Sequence, residues 1–209
     1  MRERAGIALL AATAGSVDLL ALTVLGGAFA SIITGNLVTL GYGLGAADAA
    51  RIIPVAIAVT AYGIGVLIWR FLPRTVIVPL LAELALLAVV AGGLLTDPGA
   101  GVRRALLAVA AVAMGGQSVV GLRLRASTTY MTGALATALT GDPRKAGPVL
   151  LQLASLVAGA AGAAALMTVA HWAAYALPVV LMGLAVALLT ARSATARVAP
   201  APEPQPSVR

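Results

Sequence analysis

Long apolar runs, six of them close to the 20 or so residues that cross a bilayer, dominate the sequence. They cover approximately residues 6–29, 52–69, 75–95, 104–122, 147–169 and 172–190. Two shorter apolar pieces, 34–46 and 128–141, would each reach only about 20 Å as a helix, which is too short for a comfortable span. The pattern predicts an all-α transmembrane bundle of six spans with two short broken or re-entrant helices. The alternative is an eight-span bundle in which both short pieces cross fully.

Composition supports a lipid environment for these runs. Hydrophobic residues make up 61% of the 209 residues and charged residues only 10%, whereas soluble domains carry about 25% charged residues. The net charge of +7 comes from basic residues placed between the apolar runs, and no basic cluster is interleaved with aromatic residues, so we expect no nucleic-acid partner. The sequence has no cysteine, no metal-ligand cluster, no P-loop and no dinucleotide fingerprint, so no cofactor or metal is expected.

The basic residues also bear on topology. The six-span arrangement with the N-terminus inside places 11 of the 14 Arg and Lys residues on the inner side, and the eight-span arrangement places 10 there. This difference does not decide between them, and the run lengths favour six spans. The N-terminal stretch has the basic start of a signal peptide, but its apolar run continues to Ala30, so we interpret it as a retained first span. Residues 192–209 are predicted to form a disordered, Pro-rich cytoplasmic tail.

The two short pieces point to an internal repeat. "TGNLVTLGYG" (34–43) and "TGALATALTG" (132–141) are identical at five of ten positions, and "AGSVD" (14–18) falls near "MGGQS" (114–118) upstream. We therefore predict two repeated transmembrane halves, 1–98 and 99–191. Three spans in each half would invert the second copy, and four would leave it parallel. Chance similarity in a sequence rich in Ala, Gly and Leu is the competing explanation.

Two acidic residues fall inside predicted spans. Asp18 lies close to the bilayer centre, where a carboxyl group costs about 2.5–3.5 kcal/mol and therefore points to a functional group facing the protein interior. Asp18 is interpreted as a protonatable or cation-coordinating group; the alternative is a protonated Asp that bonds another helix. For Glu83, a third of the way along its span, a functional and a structural role are equally open.

Polar residues interrupt the spans at two further kinds of place. Gln117 and Ser118 occupy the second-half position that corresponds to Asp18, where they could bind a ligand or simply hydrogen-bond a neighbouring helix. The Thr-Gly breaks are the sharper signal, because non-helical backbone inside a membrane is tolerated only where it is buried in protein or lines a wet cavity. A half-helix starting at each break would aim free N–H groups inward, as in secondary transporters, with Ser and Thr as caps. The candidate binding residues at the breaks are Ser31, Thr34, Gly35, Asn36, Thr132 and Gly133. The alternative is an ordinary interfacial loop at each break.

Four pieces of the chain resemble a known family over approximately residues 6–190. These are Gly15 with Asp18, Thr34-Gly35-Asn36, Ala113-Met114-Gly115 with Gln117, and Thr129-Tyr130-Met131-Thr132-Gly133. In this order they are similar to the YoaK-like bacterial membrane family, a domain of unknown function. The resemblance implies a six-span, multi-pass protein of the bacterial inner membrane and implies no substrate.

These observations leave two main functional hypotheses. The first is a small secondary transporter or channel-like permease, with its site between the two Thr-Gly breaks, Asp18 as the coupling group, and an anionic small solute. The second is a structural or accessory membrane protein that binds a partner or lipid without transport. No paired-carboxylate spacing or nucleophile–base pair is visible, so we expect no enzyme. The lipid bilayer is the expected partner, and homo-oligomerisation is left open.

Overall fold

The computed structural model describes residues 2–71, 75–124, 126, 131–141 and 143–198, and this part of the chain is a helical bundle. The helices are α1 (Arg2–Leu20, continued by a π-helical turn, Ala21–Leu25), α2 (Ile33–Gly45), α3 (Ala49–Phe71), α4 (Ile77–Leu94), α5 (Ala100–Arg123), α6 (Met131–Thr140), α7 (Pro143–Val169) and α8 (His171–Val198). Six of them, α1 with its π-helical turn, α3, α4, α5, α7 and α8, are long and apolar enough to cross a membrane. The predicted all-α fold of six spans and two short helices is confirmed.

Both short helices are shorter than a bilayer span. Helix α2 has 13 residues and α6 has 10, so each reaches about 20 Å or less along its axis. Helix α2 packs on α3, and α6 packs on α7. Most side chains of α2 face outward, including Leu37 and Val38, as suits a segment in contact with lipid. These lengths favour six spans over eight.

The last helix is longer than the sequence analysis predicted. Helix α8 continues through Val198, so the first residues of the predicted tail, from 192 onward, are helical. The segment "ARSATARV" (191–198) contains no Pro or Gly, and the first helix-breaking residue is Pro200. The predicted start of the tail is therefore corrected to a point after Val198, and residues 199–209 lie outside the described chain.

Helices α1 and α5 form the centre of the bundle and are the most buried of the six long helices. Helix α1 packs against α7 and α8, whereas α5 packs against α3 and α4. The first helix of each predicted half therefore packs mainly on the other half. The halves are interleaved and share one core.

A glycine contact allows α1 and α7 to cross closely. A Cβ atom added to Gly15 would lie 2.0 Å from the carbonyl oxygen of Leu156, and one added to Gly159 would lie 2.0 Å from that of Ala12. Any side chain at either glycine would collide with the backbone of the facing helix. Small residues permit this kind of close approach between membrane helices.

The crossing of α3 and α5 has the same construction. A Cβ atom on Gly65 would lie 2.3 Å from the carbonyl oxygen of Val112, and one on Gly115 would lie 2.4 Å from that of Tyr62. Here too, one glycine from each helix faces a carbonyl group of the other.

The two crossings are in matching register. Gly115 follows Gly15 by 100 residues, and Gly159 follows Gly65 by 94 residues. The same two spacings relate the facing carbonyl groups. The 100-residue spacing is also the one that places "AGSVD" opposite "MGGQS" in the sequence. The crossings thus use equivalent positions of the two predicted halves.

Candidate functional site

A non-helical segment separates α1 from α2. The π-helical turn ends at Leu25, and α2 begins at Ile33. Gly26 and Gly27 have φ angles of 156° and 81°, which a residue with a side chain rarely adopts, so the chain can turn sharply here. The predicted first break is therefore present, and its backbone N–H and C=O groups need partners within the protein.

Asp18 supplies partners on one side of this break. Its Oδ1 accepts hydrogen bonds from the backbone N–H of Ala30 and of Ser31, both at 2.8 Å. Its Oδ2 accepts the Ser31 hydroxyl at 2.5 Å. The side chain is only 4% exposed. A buried carboxyl group with three donors in contact anchors the break to α1.

Asn36 closes the break from the other side. Its Oδ1 accepts the backbone N–H of Phe29 at 2.9 Å, and its Nδ2 donates to the carbonyl oxygen of the same residue at 2.6 Å. Asn36 sits in the first turn of α2 and is buried. We call Asp18, Ser31 and Asn36 the break cluster. Its hydrogen bonds satisfy buried backbone groups that would otherwise have no partner.

The other polar residues at the first break do not join this cluster. Thr34 is exposed on α2, and no side chain hydrogen-bonds the N-terminus of that helix, so the predicted capping by Ser31 or Thr34 is wrong. The reason is that the Ser31 hydroxyl is committed to Asp18. A Cβ atom on Gly35 would lie 3.3 Å from the Ile32 side chain, so this glycine serves packing.

The second Thr-Gly pair lies elsewhere. Thr132 and Gly133 are exposed on α6, which packs on α7, whereas Thr34 and Gly35 belong to the α2–α3 pair. Residues 127–130, just before α6, lie outside the described chain. Within the described residues, the two Thr-Gly pairs are therefore not brought together.

Ser118 lies at a helix contact. Its hydroxyl oxygen accepts the Tyr62 hydroxyl at 2.7 Å and donates to the carbonyl oxygen of Met114 at 2.9 Å. These bonds join α5 to α3 at the level of the glycine crossing. The geometry matches the structural alternative for this residue, a hydrogen bond between helices.

Gln117 reaches across the centre of the bundle. It is fully buried, and its Nε2 donates to the carbonyl oxygen of Leu10 at 2.8 Å, which joins α5 to α1. Its Oε1 has no hydrogen-bond partner among the described residues. One of its two polar atoms is therefore available to something else.

Glu83 has no partner at all within the described part of the chain. Its side chain is 0% exposed on α4, and neither carboxyl oxygen is hydrogen-bonded. Buried polar atoms in native proteins are nearly always paired, so an unpaired carboxyl group needs an explanation. Such a group usually binds a proton, an ion, a water or a ligand donor.

Glu83 and Gln117 lie at about the same depth in the bundle. Helices α4 and α5 run antiparallel, and a Cβ atom on Gly93 would lie 2.7 Å from the side chain of Leu106, which sets their register. Ten residues along each helix from this contact lead to Glu83 and Gly116, next to Gln117. We call the two carboxyl oxygens of Glu83 and the Oε1 of Gln117 the central acceptors. Each of these oxygens can accept a hydrogen bond.

Comparison with known proteins identifies a family. No curated protein and no solved structure matches the chain. A family model described as a protein of unknown function matches residues 6–189, nearly all of the described bundle. The residues that carry the predicted resemblance fall within this range. The chain belongs to this family, DUF1275.

Proposed function

We propose that the protein is a small secondary transporter or channel-like permease whose central site contains Glu83 and Gln117. As the YoaK-like resemblance implies, we place it in a bacterial inner membrane, with both termini on the cytoplasmic side. The observation that carries the proposal is the set of central acceptors, which are buried and unpartnered among the described residues.

The alternative, an accessory protein that moves nothing, predicts a dry centre in which the polar residues satisfy one another. The break cluster behaves in this way, because the carboxyl group of Asp18 and the amide of Asn36 are both paired. The central acceptors behave differently. Leaving a buried polar group without a partner costs about 1–3 kcal/mol, more for a charged group, and such residues inside membranes mark ion and substrate pathways.

The position of the acceptors also supports transport. In a six-span count, α5 crosses in the opposite direction to α1, so the matching glycine crossings support two inverted halves. Transporters built from inverted halves bind substrate near the midplane, where the halves meet. The hydrogen bond from Gln117 to Leu10 lies at that interface, since it joins the first helix of one half to the first helix of the other.

The hydrogen bonds of Asp18 favour a different coupling residue and a different class of solute from those predicted from the sequence. Asp18 occupies the free N–H groups of Ala30 and Ser31, the place where an anionic solute would bind at the first break. We therefore assign Asp18 an anchoring role and Glu83 the coupling role. Oxygen acceptors at the centre favour a proton, a cation or a solute that carries hydrogen-bond donors.

The test is a flux screen in liposomes. Purified protein is reconstituted, and uptake of cations, amines and neutral donor-bearing solutes is measured with and without a pH gradient. We expect E83Q to abolish gradient-driven flux and D97N, which removes an exposed carboxyl group on the connector before α5, to retain it. Flux that is unchanged in E83Q contradicts the coupling role.

Water access to the centre distinguishes the accessory alternative. The native chain has no cysteine, so a single Q117C variant can be probed with a small water-soluble thiol reagent. We expect labelling that the transported solute slows. A sealed position 117, together with no flux for any solute, would contradict the transport proposal and favour the accessory function.

A further inference from the structure

A cavity near the N-terminus contains an unpaired polar group. Its volume is about 150 Å³, and it lies between α1, the end of α5 and α7, with Arg4, Ile7, Leu124 and Gln152 among its lining residues. Gln152 is only 9% exposed and lines this cavity, and its side-chain amide makes no hydrogen bond to the described residues. The amide is open to the cavity, so a polar group bound there can hydrogen-bond to it.

An apolar groove lies beside the cavity on the outer face of α1 and α7. The groove has a volume of about 560 Å³, within the range of about 300–1,000 Å³ that is usual for ligand sites. Arg4 and Leu151 line both spaces, so the two lie side by side. The rest of the groove wall is apolar apart from Ser155, and consists of Ala5, Ala8, Leu9, Ala12 and Ala158.

We propose that this cavity and groove bind an anionic phospholipid. The phosphate group is held by the Arg4 guanidinium and the Gln152 amide, and one acyl chain lies along the groove. Arg presents a planar set of donors that matches phosphate oxygens, and Gln adds an amide donor. Basic pockets between membrane helices bind anionic head groups in this manner. The unpaired Gln152 amide thereby gains a partner.

The shape of the site selects a lipid over a free anion. A free phosphate would fill the polar cavity and leave the groove unoccupied. The groove opens on α7, which exposes most of its surface to the surrounding membrane. An amphiphile is the ligand that has both an anionic end and an apolar chain to match the two spaces.

The corresponding place in the first half is closed. The spacings of 100 and 94 residues relate Arg4 to Arg104 and Pro148, another wall residue of the cavity, to Pro54. There, a Cβ atom on Gly26 would lie 3.1 Å from the Cβ of Pro54 and 3.6 Å from the side chain of Leu107, so the space is filled. Arg104 is therefore a matched control. This comparison rests on the proposed relation between the halves, whereas the lipid site does not depend on transport.

The experiment measures lipid binding to the purified full chain. After delipidation, the protein is titrated with phosphatidylglycerol, phosphatidylcholine or inorganic phosphate, and bound lipid is counted by native mass spectrometry while Tm is followed. We expect phosphatidylglycerol alone to bind and raise Tm. R4Q should weaken this binding about tenfold, as expected for loss of a charge-assisted hydrogen bond. Q152L should weaken it as well, and R104Q should bind as the unaltered protein does.

Each other outcome overturns the assignment. Equal binding of phosphatidylcholine would mean non-selective lipid contact, and a Tm rise with inorganic phosphate equal to that with phosphatidylglycerol would mean a small-anion site. Equal losses in R4Q and R104Q would mean a general charge effect. Filling the groove with A8L provides a second variant that keeps Arg4 and Gln152. If A8L binds phosphatidylglycerol as well as the unaltered protein does, the acyl chain does not occupy the groove.

Discussion

Asp18 and Glu83 are two buried acids in one bundle with opposite surroundings. Asp18 holds three donors from the break at 2.5–2.8 Å, whereas Glu83 has no partner among the described residues. Inserting a carboxyl group into a span is costly in both cases, about 2.5–3.5 kcal/mol for an Asp at the middle of a span. The two groups differ in the hydrogen bonds that their neighbours provide to offset this cost.

For Asp18, hydrogen bonds that stabilise the break offset the insertion cost. The break exposes backbone N–H groups that lipid cannot satisfy, and the carboxyl group satisfies two of them. For Glu83 no described contact offsets the cost. A residue that violates the local rules of stability without compensation is the one expected to serve function. The depth of an acidic residue in the membrane therefore does not by itself distinguish a structural role from a functional one.

Removing the Asp18 carboxyl group should have the largest effect on stability. D18A leaves the N–H groups of Ala30 and Ser31 and the Ser31 hydroxyl without their acceptor, at about 1–3 kcal/mol each. The variant no longer has to bury a carboxyl group, and this gain offsets part of the lost hydrogen-bond energy. We therefore expect a net destabilisation of about 2–4 kcal/mol. Unfolding titration in detergent measures it. D18N keeps an acceptor oxygen and should lose less; equal losses in D18A and D18N would mean that the carbonyl-type oxygen is not the anchor.

Removing the central acid should act in the opposite direction. E83L replaces an unpaired polar group by an apolar one of similar size, and we expect the free energy of unfolding to rise by about 1–3 kcal/mol. The same titration measures it. In liposomes the variant should lose gradient-driven flux although it is more stable. A destabilised E83L protein would mean that the carboxyl group is a structural element like Asp18.

Removing the Asn36 amide should have the smallest effect on stability of the three changes. N36A removes both hydrogen bonds to the backbone of Phe29, and we expect a destabilisation of about 1–2 kcal/mol, less than for D18A. T34A, at an exposed position on the same helix, serves as the control and should change stability by less than about 0.5 kcal/mol. Equal losses in the two variants would show that α2 as a whole, and not Asn36, supports the break.

Much of this architecture could be predicted from the sequence. The six spans follow from apolar runs of bilayer length, and the two short helices follow from polar residues that interrupt such runs. The first break and the candidate residues Asp18, Ser31 and Asn36 were predicted for the same reason. Their mutual hydrogen bonds were not, because they depend on how the chain folds back after Gly26 and Gly27.

The features that could not be predicted from the sequence depend on tertiary contacts. Thr34 is a residue type that often caps helices, but here it faces outward. Arg4 and Gln152 could not be recognised as neighbours from the sequence, because the cavity that they line joins residues far apart in the chain. For the same reason, the sequence could not show which of the two acidic residues has the functional role. Asp18 lies nearer the middle of its run than Glu83, yet the partners that distinguish them come from other segments. The break before Thr132 falls on residues outside the described chain, so its site role stays a prediction.

The crossing of α1 and α7 also determines when the protein can finish folding. Gly15 and Gly159 are 144 residues apart, and a ribosome adds about 5–20 residues per second. The first helix, with Thr13, Ser16 and Asp18 on its surface, therefore waits about 7–30 s in the translocon or lipid before its partner is made. A chain released before α7 leaves these polar groups facing lipid, which makes incomplete products natural targets for membrane quality control.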